Sequence, residues 1–332
     1  MVRVAVIFPG QGTQQPGMAN AWRDHPSWAV VDRAEAALGE PLAHLITDAP
    51  ADALTRTREA QLSVLLTSLI VWDALAPQLD AIDLTGDAQD SEPVVPVAFA
   101  GHSLGQVTAL IAAGVLPFDD GIRFAARRAE LTQAAADAHP GRMAALLGAT
   151  PEQAVDACTA APDGCWVAND NAPGQVVIAG TPDGVAAGSE RAKEIGVKRA
   201  TPLNVGGAFH TPLMHDASAG LVDILTTVEF APTTVPVVSN HDAVAYTDAD
   251  GWRARLADHV SVPVRWRSTM DTLVELGATT FVEVGHGGML AALAKRGAPG
   301  VTMRNIATPD DIPSAPATPP IRVTQRVTQE VS

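Results

Sequence analysis

Val94-Val95-Pro96-Val97-Ala98-Phe99-Ala100-Gly101-His102-Ser103-Leu104-Gly105-Gln106 runs on into Val107-Thr108-Ala109-Leu110-Ile111-Ala112-Ala113. The Val-rich apolar run reads as a buried strand, Gly101 to Gly105 as a tight turn, and the Ala/Leu/Ile segment as a helix. Gly-x-Ser-x-Gly in strand–turn–helix context lifts a serine over a helix N-terminus. A side chain at Gly101 or Gly105 would crowd neighbouring elements in so sharp a turn. The amide of Leu104 is then aimed where an oxyanion would form, with the helix dipole favouring negative charge there. By itself the pentapeptide is equally a Gly/Ser turn joining two elements, so the rest of the chain has to decide.

Upstream, Val2 to Phe8 reads as a first buried strand that empties into Pro9-Gly10-Gln11-Gly12-Thr13-Gln14-Gln15. This loop lacks the Lys-Ser/Thr of a phosphate loop and the spacing of a dinucleotide fingerprint. Read alone it is a polar strand-to-helix loop, although Gln11 between glycines suits a backbone held close to a ligand. Helical periodicity runs from Trp22 to Ile46, punctuated by Gly39 and Pro41, and again from Arg58 to Leu75 with Gln61 at its start. The acidic stretch from Gln78 to Pro93 reads as an exposed connector. Past the serine helix, a helix capped by Asp119-Asp120 is expected to carry Arg123, Arg127 and Arg128 to about Ala138.

Residues 143–202 change rhythm. Strands are expected at Met143–Leu147, Cys165–Asn169, Gln175–Ala179 and Val197–Leu203, with helices at Pro151–Ala160 and Pro182–Ile195. That β-α-β-β-α-β order is ferredoxin-like. The body resumes at Val205, with strands at Val235–Ser239 and Thr279–Gly285 and a helix at Trp252–His259. The expected architecture is α/β: a parallel-sheet body over 1–138 and 204–307, an inserted ferredoxin-like α+β subdomain over 139–203, and a Pro-rich tail over 308–332.

Composition narrows the class. Of 332 residues, 47% are hydrophobic, enough for a large core. The net charge of −15 argues against nucleic-acid binding. Cys158 and Cys165 lack metal-ligand spacing and read as free thiols of a cytoplasmic protein. The apolar N-terminal run is too short for a signal peptide. Polar residues interrupt Leu62–Leu75, which reads as a buried helix and not a membrane span.

A serine nucleophile needs a base, and nine histidines compete. His102 adjoins Ser103, so its ring should diverge from the nucleophile and pack. His25, His44, His139 and His241 lie in polar segments and are expected at the surface. His210, after Gly206-Gly207 and before Thr211-Pro212, is presented by an irregular loop and is the preferred base.

Gly10-Gln11-Gly12-Thr13-Gln14, Gly101-His-Ser-Leu-Gly-Gln106, the following arginines, Asn169 with Pro173-Gly174-Gln175, and Gly207-Ala-Phe-His210 together resemble malonyl-CoA:acyl carrier protein transacylases and the acyltransferase domains of polyketide synthases. The resemblance spans about residues 2 to 295. It implies an α/β-hydrolase-like body with a ferredoxin-like subdomain, and an acyl group carried as an ester on Ser103. His210 becomes general base and then acid. The Gln11 and Leu104 amides become the oxyanion hole, and Arg128 the partner of the malonyl carboxylate. Gln61, Asn169, His102, Phe209 and Thr132 fall at pocket positions, and His259 at the position that orients the histidine. No bound cofactor is implied; a CoA thioester is substrate, and phosphopantetheine is carried by an acyl carrier protein partner. A free-standing monomer without nucleic-acid or membrane partners is expected.

Three positions depart from the family pattern. His259 stands where Gln is usual before Pro263-Val264-Arg265-Trp266, leaving the backbone carbonyl as the alternative contact. Thr132 replaces a methionine, and Gln106 a glutamate. Phe209 resembles malonyl-type sites, although one added carbon is weakly discriminated and larger acyl units stay open. Two other functions are weighed. An editing hydrolase for neutral acyl chains would not need Arg128, and a non-catalytic interaction subunit would not need Ser103 and His210. Since carrier proteins are acidic like this chain, docking is expected on a local basic patch, from Arg191, Lys193, Lys198 and Arg199 or from Arg265 and Arg267.

Overall fold

A computed structural model describes residues 1–79 and 93–312. The acidic connector and the Pro-rich tail therefore fall almost wholly outside the described residues. The chain opens with β1 (Val2–Phe8), then α1 (Ala29–Leu38), α2 (Ala43–Thr47) and α3 (Thr57–Leu75). β2 (Val94–Gly101), α4 (Gly105–Ala112) and α5 (Phe118–Ala138) follow. Next come β3 (Arg142–Leu147), α6 (Pro151–Cys158), β4 (Cys165–Ala172), β5 (Gln175–Gly180), α7 (Pro182–Glu194) and β6 (Arg199–Pro202). The chain continues through α8 (His215–Leu225), β7 (Val237–Val238), β8 (Ala245–Tyr246) and α9 (Trp252–Asp258). α10 (Trp266–Glu275), β9 (Thr280–Val284), α11 (Met289–Gly297) and β10 (Thr302–Ile306) complete it.

The larger sheet has the order β10-β9-β1-β2-β7-β8, parallel except for the β7–β8 pair. β1 is buried on both faces, which is why it reads as one apolar run. Its Val4, Val6 and Phe8 enter a core with α3 and α4, while Ala5 and Ile7 enter a second core with Trp266, Met270 and Leu290. Strands are added to one side of β1 by β2 and to the other by β9. That reversal opens a crevice at the carboxyl ends of β1 and β2, where α/β sheets hold ligands.

The smaller sheet is antiparallel with order β4-β5-β3-β6, the ferredoxin-like order. Alternation along its strands gives it two faces. Ala144, Leu146, Val176 and Ile178 pack under α6 and α7, whereas Met143, Ala145 and Val177 turn the other way, toward Ala208 and Phe209. A short bridge fastens this sheet to the body. Val264 donates to the Ala168 carbonyl at 2.9 Å and accepts from the Asp170 amide at 2.9 Å. Arg267 adds an ion pair with Asp170 at 2.8 Å.

The α3 helix is long and apolar enough to cross a membrane, yet most of it is buried inside the fold. Cys158 and Cys165 are free and buried, their sulfurs 3.5 Å apart.

Several expectations need correction. Asp119 and Asp120 do not cap α5; the helix starts at Phe118 after Pro117, and both carboxylates lie in its first turn, paired with Arg33 and Arg123. The strand expected over Val235–Ser239 shrinks to Val237–Val238, because Pro236 cannot supply a ladder donor. The segment from Trp22 to Ile46, by contrast, divides at the punctuation expected from Gly39 and Pro41, into α1 and α2. Helices α8, α10 and α11 and strand β10 had no sequence-based expectation. β10 lies at the sheet edge, and only its Ile306 is buried, so no apolar run announces it.

Candidate active site

The turn after β2 is set by contact distances. A Cβ on Gly101 would lie 1.9 Å from the Gly105 carbonyl oxygen, and one on Gly105 would lie 2.2 Å from that of Phe8. Glycine therefore lets the elbow fold on itself and press against the end of β1. The His102 amide donates to the Phe8 carbonyl at 3.0 Å, fixing the loop that carries Gln11 beside the elbow. Ser103 has φ +51°, a conformation disfavoured for a residue with a Cβ and kept by its surroundings.

His210 is delivered to Ser103 from the opposite side, and it too has positive φ, +63°. Its Nε2 lies 2.8 Å from Ser103 Oγ, and its Nδ1 faces the His259 and Val262 carbonyls at 3.0 and 3.1 Å. Carbonyls only accept, so Nδ1 carries the proton and Nε2 keeps a lone pair for the serine hydroxyl. The His259 position therefore serves through its backbone. Its ring instead has Nε2 3.4 Å from Asn240 Oδ1.

Arg128 comes from α5 and is 3% exposed. One Nη donates to Ser103 Oγ at 3.1 Å and the other to Gln61 Oε1 at 2.5 Å, while its Nε has no partner. Both of these partners are neutral, and no carboxylate pairs with this guanidinium among the described residues. Burial lowers its pKa to about 10, and it stays charged at neutral pH. Arg127, one position earlier, is half-exposed and paired with Glu130, and Arg123 with Asp120.

The electrostatics favour a neutral base. Burial first, then the charge of Arg128 and the nearby His102, pushes His210 down to about 3 against the pull of its two carbonyl partners. Burial likewise lowers His102 and holds His259 well below the usual imidazole range. An unprotonated His210 at neutral pH can accept the serine proton.

A cavity of about 180 Å³ connects these groups. Gln11, Gln61, Ser103, Leu104, Arg128 and His210 line its polar end, and Phe209, Asn169 and His102 also border it. Met143, Ala145 and Val177 from the small sheet, Leu203 just past β6, and Met289 and Leu293 of α11 form an apolar wall. Neither the Gln11 nor the Leu104 amide is taken up by another group among the described residues, as an oxyanion site requires. The His102 ring points away from the nucleophile, with Nε2 donating to Asn171 Oδ1 at 2.8 Å and the ring edge-on to Trp266.

Thr132 does not line the cavity. It is fully buried behind Gln61, whose Nε2 donates to its hydroxyl at 3.5 Å. A residue one helical turn past Arg128 faces the same way but lies deeper, and spacing alone does not separate the two. His241, expected at the surface, is half-buried, with an unpartnered Nδ1. Sequence reading passed over Asn240, Asn171 and Val262. For Asn240 a signal existed: it lies just past a strand expected to join the same parallel sheet, where site residues gather.

The acyl transferase domain family matches residues 5–308. The chain is 37% identical over 301 residues to the malonyl CoA-acyl carrier protein transacylase of Bacillus subtilis, covering 89% of this chain and 90% of that one. The acyl-carrier-protein S-malonyltransferase structure from Burkholderia pseudomallei superposes with TM-score 0.84 at 35% identity, covering 93% and 98% of the two chains. A type II polyketide malonyl-transacylase, solved in complex with its acyl-carrier protein, superposes with TM-score 0.84 at 31% identity, covering 93% and 97%.

Proposed function

Because the chain belongs to the acyl transferase domain family, we propose that it moves a malonyl group from coenzyme A to the phosphopantetheine thiol of an acyl carrier protein. The observation that carries this reading is Arg128, a buried guanidinium without a countercharge among the described residues, whose Nη lies 3.1 Å from Ser103 Oγ. A buried cation without a counterion is costly, and a carboxylate on the acyl group would supply one. A planar guanidinium fork also matches a carboxylate in shape.

The chemistry proceeds in two half-reactions. His210 Nε2 takes the Ser103 proton as Oγ attacks the thioester carbon, and the Gln11 and Leu104 amides receive the oxyanion. The C–S bond breaks, the histidinium returns its proton to the departing CoA thiolate, and malonyl remains as a Ser103 ester. The carrier's thiol then enters, loses its proton to His210 and attacks the ester carbonyl. Ser103 Oγ leaves and regains a proton, releasing malonyl-carrier. Every group used comes from one chain. We assign 1–138 and 204–307 to a catalytic body and 139–203 to an insert, a division supported by the two separate sheets. Two free thiols accord with a cytoplasmic setting.

Steady-state transfer from malonyl-CoA to a phosphopantetheinylated carrier protein tests this. Parallel double-reciprocal lines and malonyl-carrier formation are expected. Release of free malonate with the carrier thiol left unmodified would identify a hydrolase instead.

A further inference from the structure

Asn240 stands two residues past β7, the neighbour of the serine strand, and is 1% exposed. Its carboxamide spans the elbow. Oδ1 accepts from the Ser103 amide at 2.8 Å, and Nδ2 donates to the Gly101 carbonyl at 2.8 Å. Its own backbone is held on both sides: the amide donates to Gln106 Oε1 at 2.9 Å, and the carbonyl accepts from the Arg265 amide at 3.1 Å. The same Oδ1 lies 3.4 Å from His259 Nε2, and the carbonyl of His259 orients His210. We propose that Asn240 is the positioning residue that couples the nucleophile elbow to the segment orienting the catalytic histidine, with buried Gln106 as its anchor. The inference rests on the assignment of Ser103 and His210 as nucleophile and base.

The physical case is one of satisfaction and strain. With φ +51°, Ser103 has an amide turned away from any helical or sheet partner, and Asn240 Oδ1 is the acceptor it has. Without that acceptor, a partly buried donor would be left unpaired at a strained position, and the turn could relax toward ordinary dihedrals. Relaxation would move Ser103 Oγ away from His210 Nε2 and shift the Leu104 amide, while leaving the Arg128 end of the cavity intact. Gln106 has an acceptor for the Asn240 amide and a buried Nε2 with no partner among the described residues. Its neutral side chain supports Asn240 without placing a carboxylate behind the histidine pair.

The test compares Asn240→Ala and Asn240→Asp with the unmodified protein in malonyl transfer, following kcat, KM for malonyl-CoA, the pH dependence of kcat/KM and the thermal midpoint. Asn240→Ala is expected to lower kcat at least tenfold while KM stays within about twofold and unfolding remains cooperative. Asn240→Asp keeps the acceptor for Ser103 but sets a carboxylate against the Gly101 carbonyl and beside His259. It is expected to move the acid limb of kcat/KM to higher pH, a readout that loss of packing alone would not change. It also decides the matter should the alanine variant fail to fold. Unchanged kcat in Asn240→Ala, or an acid limb in Asn240→Asp superimposable on that of the unmodified protein, overturns the proposal. Lack of transfer by the unmodified protein would instead overturn the underlying functional reading.

Discussion

His210 Nε2 lies 2.8 Å from Ser103 Oγ, and both residues are held at positive φ, on turns reaching the cavity from opposite sides. The pair is assembled from β2 and from a loop more than a hundred positions further on, with Arg128 of α5 closing the third side. Strain at two facing residues fits a site whose geometry is imposed by its surroundings.

In the proposed reading Arg128 decides the acyl class. Leaving the malonyl carboxylate unpaired in this buried site should cost about 2–5 kcal/mol, by analogy with truncated buried charge pairs. That is roughly 30- to several-thousand-fold in malonyl transfer. Arg128→Ala should lose this while acetyl transfer stays equal or improves, because a neutral group never paired the guanidinium. Arg127→Ala, which removes only a surface pair with Glu130, should leave the malonyl/acetyl ratio unchanged. A reversed result would move the carboxylate contact to Arg127.

Acid should destabilise the fold through its buried histidines. His210 falls from 6.5 in the unfolded chain to about 3 when folded, and His102 and His259 are shifted the same way. Between those values the unfolded chain binds more protons, so stability rises with pH there. The His210 contribution is fully present above about pH 6.5 and is lost progressively as pH falls toward 3, and the His102 and His259 contributions are lost in the same direction. Denaturant midpoints at pH 7.5 and 5 should show a clear drop, and His210→Gln should reduce that drop. Equal drops in the two proteins would refute the assignment to His210.

Gly105→Ala should be more damaging than its size suggests. The added methyl would sit 2.2 Å from the Phe8 carbonyl oxygen, so the elbow or the end of β1 must move. A loss of about 1–3 kcal/mol of stability is expected, in the range of overpacked cores. Acylation of Ser103 should slow by more than the stability change implies. Unaltered acylation would mean that the elbow tolerates the shift.

Carrier docking is open to a charge test. Arg191 and Lys193 are tied up with neighbouring carboxylates, and Arg267 pairs with Asp170. Lys198, Arg199 and Arg265 are exposed and make no ion pair among the described residues, which narrows the basic patch. Reversing these three charges should slow transfer to the carrier at low salt, with little effect on acylation by malonyl-CoA. Transfer at the unmodified rate would place docking elsewhere.

Much of this site is legible in the sequence because its pieces have local signatures. Ser103 sits in a pattern that demands strand, turn and helix, and the ferredoxin-like order follows from alternation within short strands. The groups that hold the site in place lack such signatures. Asn240 meets Ser103 only because β7 pairs beside β2, and Val262 meets His210 through a backbone carbonyl, which no side chain advertises. Thr132 shows the converse, a residue correctly placed on the Arg128 face of α5 whose depth periodicity does not encode. Edge strand β10 lacks an apolar run because only Ile306 is buried, whereas α10 does carry a local helical signal, Trp266, Thr269, Met270 and Leu273 at i, i+3, i+4 and i+7, that the sequence reading passed over.

The most direct measurement of the central claim is the intact mass of the protein after brief exposure to malonyl-CoA, for the unmodified chain and for Ser103→Ala. The account predicts a mass gain of one malonyl group on the unmodified protein, localised to Ser103 by peptide mapping and removed by adding phosphopantetheinylated carrier protein. It predicts no adduct on Ser103→Ala. A stoichiometric malonyl adduct persisting on the alanine variant, or an adduct that the carrier cannot discharge, would contradict it.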